Sequence, residues 1–170
     1  MSVSGAPVAS PGAPAEPART YAAVTESVLS VDRMLAQVAD RRVGGIGLFV
    51  GVIRDWDSDA EVTSLDYTGH PSAEQALRRC AEQVASAFDV LTVAVEHRIG
   101  HLEVGDLAVV VAVGAVHRGP ALEACRRLID DLKAEVPIWK EQHFVDGSTG
   151  WVGLDQSEPA TGPEPATGPE

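Results

Sequence analysis

The stretch LAVVVAVGAVHRGPALEACRRLIDDLKAEVPIWK, residues 107–140, decides how this chain folds. Its first ten residues are apolar, and all after Leu107 are small or β-branched, which is typical of a strand buried on both faces. The pair Gly119-Pro120 then opens a helix, because proline is tolerated in a first turn. Pro137 ends that helix, since the residue before a proline avoids helical backbone angles. The stretch therefore predicts a strand, a helix and an extended segment, in that order.

Strand and helix patterns continue on both sides of this stretch, through residues 20–154. A helix is expected from Ser30 to Ala39, and a second is expected from Ser72, which forms a capping-box pattern with Gln75. A polar loop is expected over 55–60. A turn with Gly100 and Gly105 is expected between the predicted strands 90–98 and 107–116. Neighbouring strands with no helix between them favour an α+β fold over a doubly wound sheet. The predicted strands are 21–28, 43–53, 61–68, 90–98 and 107–116.

Both ends of the chain differ in composition from this domain. Residues 1–19 are rich in Ala, Pro, Gly and Ser, and residues 155–170 contain Glu-Pro-Ala-Thr-Gly-Pro twice, at 158–163 and 164–169. Such segments cannot bury enough apolar surface to fold. We therefore expect one domain over 20–154, between two disordered tails.

The charge and hydropathy of the chain exclude some classes of protein. The net charge is -12, from 25 acidic and 13 basic residues, whereas proteins that bind a phosphate backbone are normally basic. Nucleic acid is therefore not an expected partner. No apolar run reaches the roughly 18 residues that a membrane helix needs, and no signal-peptide pattern precedes the domain. We expect a cytoplasmic protein.

Several basic residues stand where strands end. Arg54 closes the 43–53 strand, and His117 and Arg118 lie between a strand and a helix. At such a junction free backbone N–H groups, the positive end of the helix dipole and a guanidinium can bind an anion together. The alternative, which the pattern leaves open, is that these are ordinary surface charges.

Two lysines flank the Val136–Trp139 segment. Lys133 lies four residues after Ile129, close to the apolar stripe of its helix, and Lys140 follows an extended Pro-Ile-Trp run. A lysine in a partly dry site can act as a base or nucleophile. Solvated lysines remain the alternative on spacing alone.

The cysteines and a pair of histidines carry weaker signals. Cys80 and Cys125 form no C-x-x-C pair and fall on predicted helices, so we interpret them as reduced core thiols and not as catalytic groups. His97 and His101 are four residues apart, a spacing that suits a metal only on a helix. Here they lie on a strand and a turn, so no metal site is predicted.

Four motifs are spread over the domain: Phe49-Val-Gly-Val-Ile-Arg-Asp55, Glu96-His-Arg-Ile-Gly100, Ala115-Val-His-Arg118 and Leu132-Lys-x-x-x-Pro-Ile-Trp-Lys-Glu141. Together they resemble one family, the large subunit of molybdopterin synthase. They occur in the family's order, and the resemblance covers about residues 20–152. The run from Thr68 to Ser72 departs from the family pattern, which has an acidic residue, an aromatic residue and a methionine there.

The resemblance implies an α/β hammerhead-type fold and a sulfurtransferase of molybdenum cofactor biosynthesis. Sulfur would come from the C-terminal Gly-Gly thiocarboxylate of a small ubiquitin-like partner. It would pass to cyclic pyranopterin monophosphate, a substrate and not a cofactor, to make the dithiolene of molybdopterin. It also implies a homodimer, or a 2:2 heterotetramer with the partner.

The resemblance further assigns residues to these tasks. Lys133 and Lys140 are implied to be catalytic, and Arg54, His117 and Arg118 are implied to bind the anionic substrate. Because the phosphate and the thiocarboxylate are both anions, we expect Arg54, Arg118, Lys133 and Lys140 to form one local cationic pocket. The alternative is a non-catalytic module of the same fold that binds a pterin phosphate or a ubiquitin-like tail.

Overall fold

A computed structural model describes residues 16–57 and 60–152. All of the predicted tail 155–170 and residues 1–15 of the predicted tail 1–19 lie outside the described residues, whereas Arg19 already belongs to the first strand. The three described helices are α1 (Val31–Gln37), α2 (Ala73–Ala87) and α3 (Arg118–Glu135). The mixture of helices with largely antiparallel strands confirms the predicted α+β class. The strands are β1 (Arg19–Thr25), β2 (Gly45–Val52), β3 (Trp56–Asp57), β4 (Ala60–Gly69), β5 (Thr92–Arg98), β6 (Gly100–Glu103), β7 (Leu107–Ala115), β8 (Ile138–Phe144) and β9 (Thr149–Val152).

The first sheet has the strand order β1-β5-β7-β2 and forms the core. Its β1 and β5 are parallel, whereas the other neighbours are antiparallel. Helices α2 and α3 pack on one face of this sheet, and α1 packs on the other through Met34 and Val38. Every residue of β7 from Ala108 to Ala115 is buried, as the apolar run 107–116 predicts for a strand covered on both faces.

The second sheet has the order β3-β4-β8-β9, and β6 also pairs with β4. Its strands are antiparallel. A small apolar cluster of Ile53, Leu65, Leu102 and Ala108 joins it to the first sheet. Because Ile53 follows β2 and Ala108 belongs to β7, the second sheet is attached at one end of the first.

Two glycines let α3 lie close against β2. A Cβ on Gly47 would stand 2.3 Å from the carbonyl oxygen of Ala121, and one on Gly45 would stand 3.2 Å from the Cα of Arg118. Only glycine permits such an approach of two backbones. Since Gly45 lies beside Arg118 and Gly47 beside Ala121, α3 and β2 run in the same direction.

Local details confirm some predictions and correct others. The Ser30 hydroxyl accepts a hydrogen bond from the Arg33 N–H at 3.2 Å, as expected for an N-cap. The capping box at Ser72 is wrong, because this residue has helical backbone angles and makes no capping bond; its hydroxyl lies 2.8 Å from His70 Nδ1 instead. The predicted 100–105 turn contains strand β6, and the predicted polar loop contains β3.

Within the described residues, no helix combines the length and apolarity needed to cross a bilayer.

Candidate active site

Lys133 stands in the last turn of α3. Its side chain is exposed, whereas the neighbouring Leu132 and Val136 are buried in the core. The carbonyl end of a helix carries partial negative charge, which favours a cation there. Lys133 is therefore held on a well-anchored helix end and is open to an incoming molecule.

Lys140 lies seven residues further on, in β8, where it pairs with Tyr67 of β4. It is half-buried. Between the two lysines, the Val136 N–H donates to the Leu132 carbonyl and the Pro137 carbonyl accepts from the His70 N–H, both at 3.0 Å. These bonds define a short turn from α3 into β8, so the two lysines flank one turn.

Arg54 belongs to the same end of the molecule. The preceding residue, Ile53, donates its N–H to the Asp106 carbonyl at 3.0 Å and accepts from the Gly105 N–H at 2.8 Å. Ile53 also belongs to the apolar cluster against which Tyr67 packs, and Tyr67 is the direct strand neighbour of Lys140. The exposed Arg54 is thus attached to the part of the second sheet that carries Lys140.

His117 and Arg118 lie at the opposite end. Helix α3 begins at Arg118, and fifteen residues of helix separate it from Lys133, which is roughly 22 Å at 1.5 Å per residue. The expectation that Arg118 shares one pocket with Arg54, Lys133 and Lys140 is therefore wrong for a single chain. The strand–helix junction is as predicted: His117 is an extended N-cap residue with no side-chain capping bond, and the first turn has no acidic residue.

The two cysteines are core residues, which confirms the interpretation of the sequence. Both are buried and free. Burial raises the pKa of the Cys80 thiol to about 11, with further contributions from Glu135 and Asp131. Burial alone raises the pKa of Cys125 to about 11. Because the thiolate is the nucleophilic form, neither thiol is suited to sulfur chemistry near neutral pH.

His97 and His101 do not converge, as predicted. His97 is buried; its ring stands edge-on to Tyr67, with 5.0 Å between ring centroids, and its Nδ1 lies 2.8 Å from the Arg98 carbonyl oxygen. Burial lowers the pKa of His97 to about 4. His101 instead points to Asp66, on the neighbouring strand β4.

Analysis of the sequence missed the cluster formed by Asp66, His101 and His143. Two of these residues are histidines whose rings contact the same carboxylate. They stand 35 and 77 positions from Asp66 along the chain, so no local motif links them. The pairing of β4 with β6 and β8 was the signal that could have found the cluster.

Comparison with known proteins gives consistent matches. The family model described as "MoaE protein" matches residues 24–135. A relative from Mycobacterium tuberculosis, "Molybdopterin synthase catalytic subunit 1", is 40% identical over 144 residues, which cover 82% of this chain and 95% of the relative. The crystal structure of molybdopterin synthase from Staphylococcus aureus aligns with a TM-score of 0.73 at 26% identity, over 78% of this chain and 96% of that chain. A complex of subunits 1 and 2 of molybdopterin-converting factor from Helicobacter pylori shares the fold, with a TM-score of 0.60 at 18% identity over 75% and 86%.

Proposed function

This chain belongs to the MoaE family, and on that basis we propose that it catalyses the sulfur transfer of a molybdopterin synthase. Sulfur passes from the C-terminal thiocarboxylate of a small ubiquitin-like partner to cyclic pyranopterin monophosphate and forms the dithiolene of molybdopterin. The observation that carries the proposal is the position of Lys133 and Lys140 on either side of the turn between α3 and β8. The chain's cysteines are buried thiols, which fits a sulfur atom that arrives on a partner.

The two lysines have different tasks in this proposal. Lys133 is exposed at the end of a long helix, so it can meet the thiocarboxylate and bind its oxygen or move a proton as sulfur attacks. Lys140 is half-buried in β8 and holds the pterin phosphate together with Arg54. Such positive groups stabilise negative charge best when they are fixed before the reaction begins.

A second protein supplies the sulfur. The Helicobacter pylori relative was solved as a complex of two subunits, and relatives of higher identity are named catalytic subunits. We extend that division of labour to this chain. A Gly-Gly tail lacks side chains, so it can enter a narrow space beside Lys133 and present its terminal sulfur there.

His117 and Arg118 lie at the other end of α3 from Lys133, and this placement supports a homodimer. Strand β2 is an edge of the first sheet, and Ile46, Leu48 and Val52 on it are 41%, 42% and 51% exposed. A row of apolar side chains on an uncovered edge strand is typical of a surface that pairs with another chain. The occupant we propose is a second copy of this chain.

A twofold arrangement of this kind would complete the site. An isologous contact pairs the two copies of β2 in opposite directions. The Gly45 end of one strand, which lies beside Arg118, then meets the Val52 end of the other, which leads to Arg54. His117 and Arg118 of each copy would thereby join Arg54 and the lysines of the other, and the five residues would form two shared sites.

The proposal also covers location and cofactors. The synthase works in the cytoplasm as a 2:2 assembly with its partner. It uses no bound cofactor, since the pterin phosphate is the substrate and the thiocarboxylate is the sulfur donor.

Mixed dimers test the shared site. Lys133→Ala and Arg118→Ala should each nearly abolish turnover of a thiocarboxylated partner with cyclic pyranopterin monophosphate. When the two variants are unfolded together and refolded as mixed dimers, each mixed dimer has one site with both residues intact, so activity should return. Failure to recover activity would contradict the shared site. Tight binding of both substrates by the unaltered chain without any turnover would instead support the non-catalytic binding module.

A further inference from the structure

The cluster of Asp66, His101 and His143 lies outside the proposed active site. Asp66 of β4 pairs directly with His101 of β6, and His143 lies diagonally across on β8, where it pairs with Ser64. Side chains that face each other across antiparallel strands share one face of a sheet, and successive residues alternate between faces. Tyr67 of β4 and Lys140 of β8 pair with each other. Tyr67 directly follows Asp66, so this pair projects from the other face. The cluster and Lys140 therefore occupy opposite faces of the same sheet.

The geometry points to a site for one divalent transition-metal ion, bound by Asp66, His101 and His143. His143 Nε2 lies 2.6 Å from one carboxylate oxygen of Asp66, and His101 Nδ1 lies 3.1 Å from the other. One ligand atom from each residue lies within 4.8 Å of the others. Nitrogen and oxygen ligands of zinc bind at about 2.0–2.2 Å, so small rotations of these side chains bring all three onto one ion.

Glu103 prepares His101 for this role. The second ring nitrogen of His101, Nε2, lies 3.1 Å from Glu103 Oε1. A proton on Nε2 donates to that carboxylate and leaves the Nδ1 lone pair directed toward Asp66. A carboxylate bonded to the far nitrogen of a histidine is the usual companion of a metal-binding imidazole, because it fixes the tautomer and raises the basicity of the ligand.

The electrostatics of the cluster favour a cation at this point. The Asp66 carboxylate lies between the two imidazole rings, and the Glu103 carboxylate lies at the far nitrogen of His101. These two carboxylates place negative charge beside the rings, which stabilises a metal ion held between His101, His143 and Asp66. The net charge of -12 adds a general attraction for cations.

The ligand types select the class of metal. Two imidazoles and one carboxylate suit zinc, nickel, copper or cobalt, whereas magnesium and calcium prefer sites made of oxygen atoms. Three protein ligands leave a position for water. Because the ligands come from β4, β6 and β8, a bound ion would join three strands of the second sheet and stabilise the folded chain.

Zinc titration of the untagged, chelator-treated protein tests the site. Calorimetry should give one zinc ion per chain, and the melting temperature should rise with zinc concentration. The double variant His101→Gln/His143→Gln should lose both effects, and Glu103→Gln should bind zinc about 10–100-fold more weakly. His70→Gln is the matched control, since it removes an exposed histidine outside the cluster and should titrate like the unaltered chain.

Cobalt substitution gives a second measurement that needs no variant. Visible absorption of the Co²⁺-loaded protein should show low-symmetry coordination, and histidine ring-nitrogen NMR signals of the zinc-loaded protein should shift for His101 Nδ1 and His143 Nε2. Zinc binding that survives the double variant, or ring signals that do not move, would overturn the proposal. Because these readouts involve no turnover, they are independent of the sulfur-transfer proposal.

Discussion

The two sheets of this protein use their strands in opposite ways. In β7, at the centre of the first sheet, eight successive residues are buried and none is ionisable. In β8, at the centre of the second, Gln142 is the buried residue and its neighbours include Lys140, Glu141 and His143. The first sheet therefore supplies the apolar area that stabilises the fold, while the second displays charged groups at the surface. The ionisable groups of the second sheet are thus attached to a core whose central strand carries none, and the buried Glu96 of the first sheet is held by an ion pair with Arg33.

The largest effect should come from Lys133, which is exposed and so contributes little to packing. Lys133→Ala should lower the single-turnover rate by about 10²–10³-fold, the usual cost of losing one positive group at the reacting atoms. Its melting temperature should stay close to that of the unaltered chain. Arg126→Ala is the matched control, because Arg126 is an exposed cation of the same helix, paired with Asp130. A near-normal rate for Lys133→Ala would remove this residue from the chemistry.

A substitution in the core should lower the free energy of unfolding, whereas Lys133→Ala should lower the rate. Leu128 of α3 is completely buried against the first sheet, so Leu128→Ala should lower the free energy of unfolding by about 2–5 kcal/mol through lost burial and a cavity. Leu122→Ala makes the same change on the same helix at a side chain that is 58% exposed and should have a small effect. Urea unfolding measures both. Equal losses would show that the first sheet is not the main source of stability.

Acid should destabilise the junction between the sheets through His97. Its folded-state pKa of about 4 lies below the usual histidine pKa of 6.5, because the ring is buried, so the unfolded chain binds the proton first. This contribution to stability is complete above pH 6.5 and is lost as the pH falls toward 4, by about 3 kcal/mol. His97→Asn, which keeps a donor near the Arg98 carbonyl, should weaken this pH dependence. Urea unfolding at several pH values should show the difference, and identical pH profiles would contradict it.

Lys140 should have a smaller effect that falls on binding. Lys140→Ala should raise KM for the pterin phosphate about 10–100-fold, because a hydrogen bond to a charged group contributes about 1.5–3 kcal/mol. The maximal rate should fall less than in Lys133→Ala, since removal of uniform binding affects KM more than kcat. Steady-state kinetics of the two variants side by side separates the roles. A loss confined to kcat would instead give Lys140 a part in the chemical step.

The smallest effect should follow from removing the tails. Strand β1 begins at Arg19 and Ala18 packs against the core, so a shortened chain of residues 16–152 keeps both sheets. Calorimetry should give it an unchanged melting temperature, and the turnover assay should give an unchanged rate. A fall of many degrees would mean that a tail contributes to the folded domain.

Local physics made much of this structure predictable. The Ser30 cap, the buried 107–116 strand and the end of α3 before Pro137 each depend on residues close together in the chain, and each is found in the structure. The failures occur where a competing partner is distant or unexpected. The Ser72 hydroxyl lies beside the His70 ring instead of capping α2, and residues 100–103 form a strand because β4 is available to pair with them.

The sequence by itself determined the α+β class, because that follows from the order and periodicity of its segments, and it carried the motifs whose resemblance to a known family implied the five candidate site residues. Only the tertiary structure decided where the cations lie. The length of α3 separates Lys133 from Arg118, and the close contact of α3 with Gly45 and Gly47 places Arg118 beside the start of β2. Likewise, the register of β4 against β6 and β8 brings Asp66, His101 and His143 together. Strand register depends on contacts between distant segments, and a shift of one residue would move every side chain to the other face.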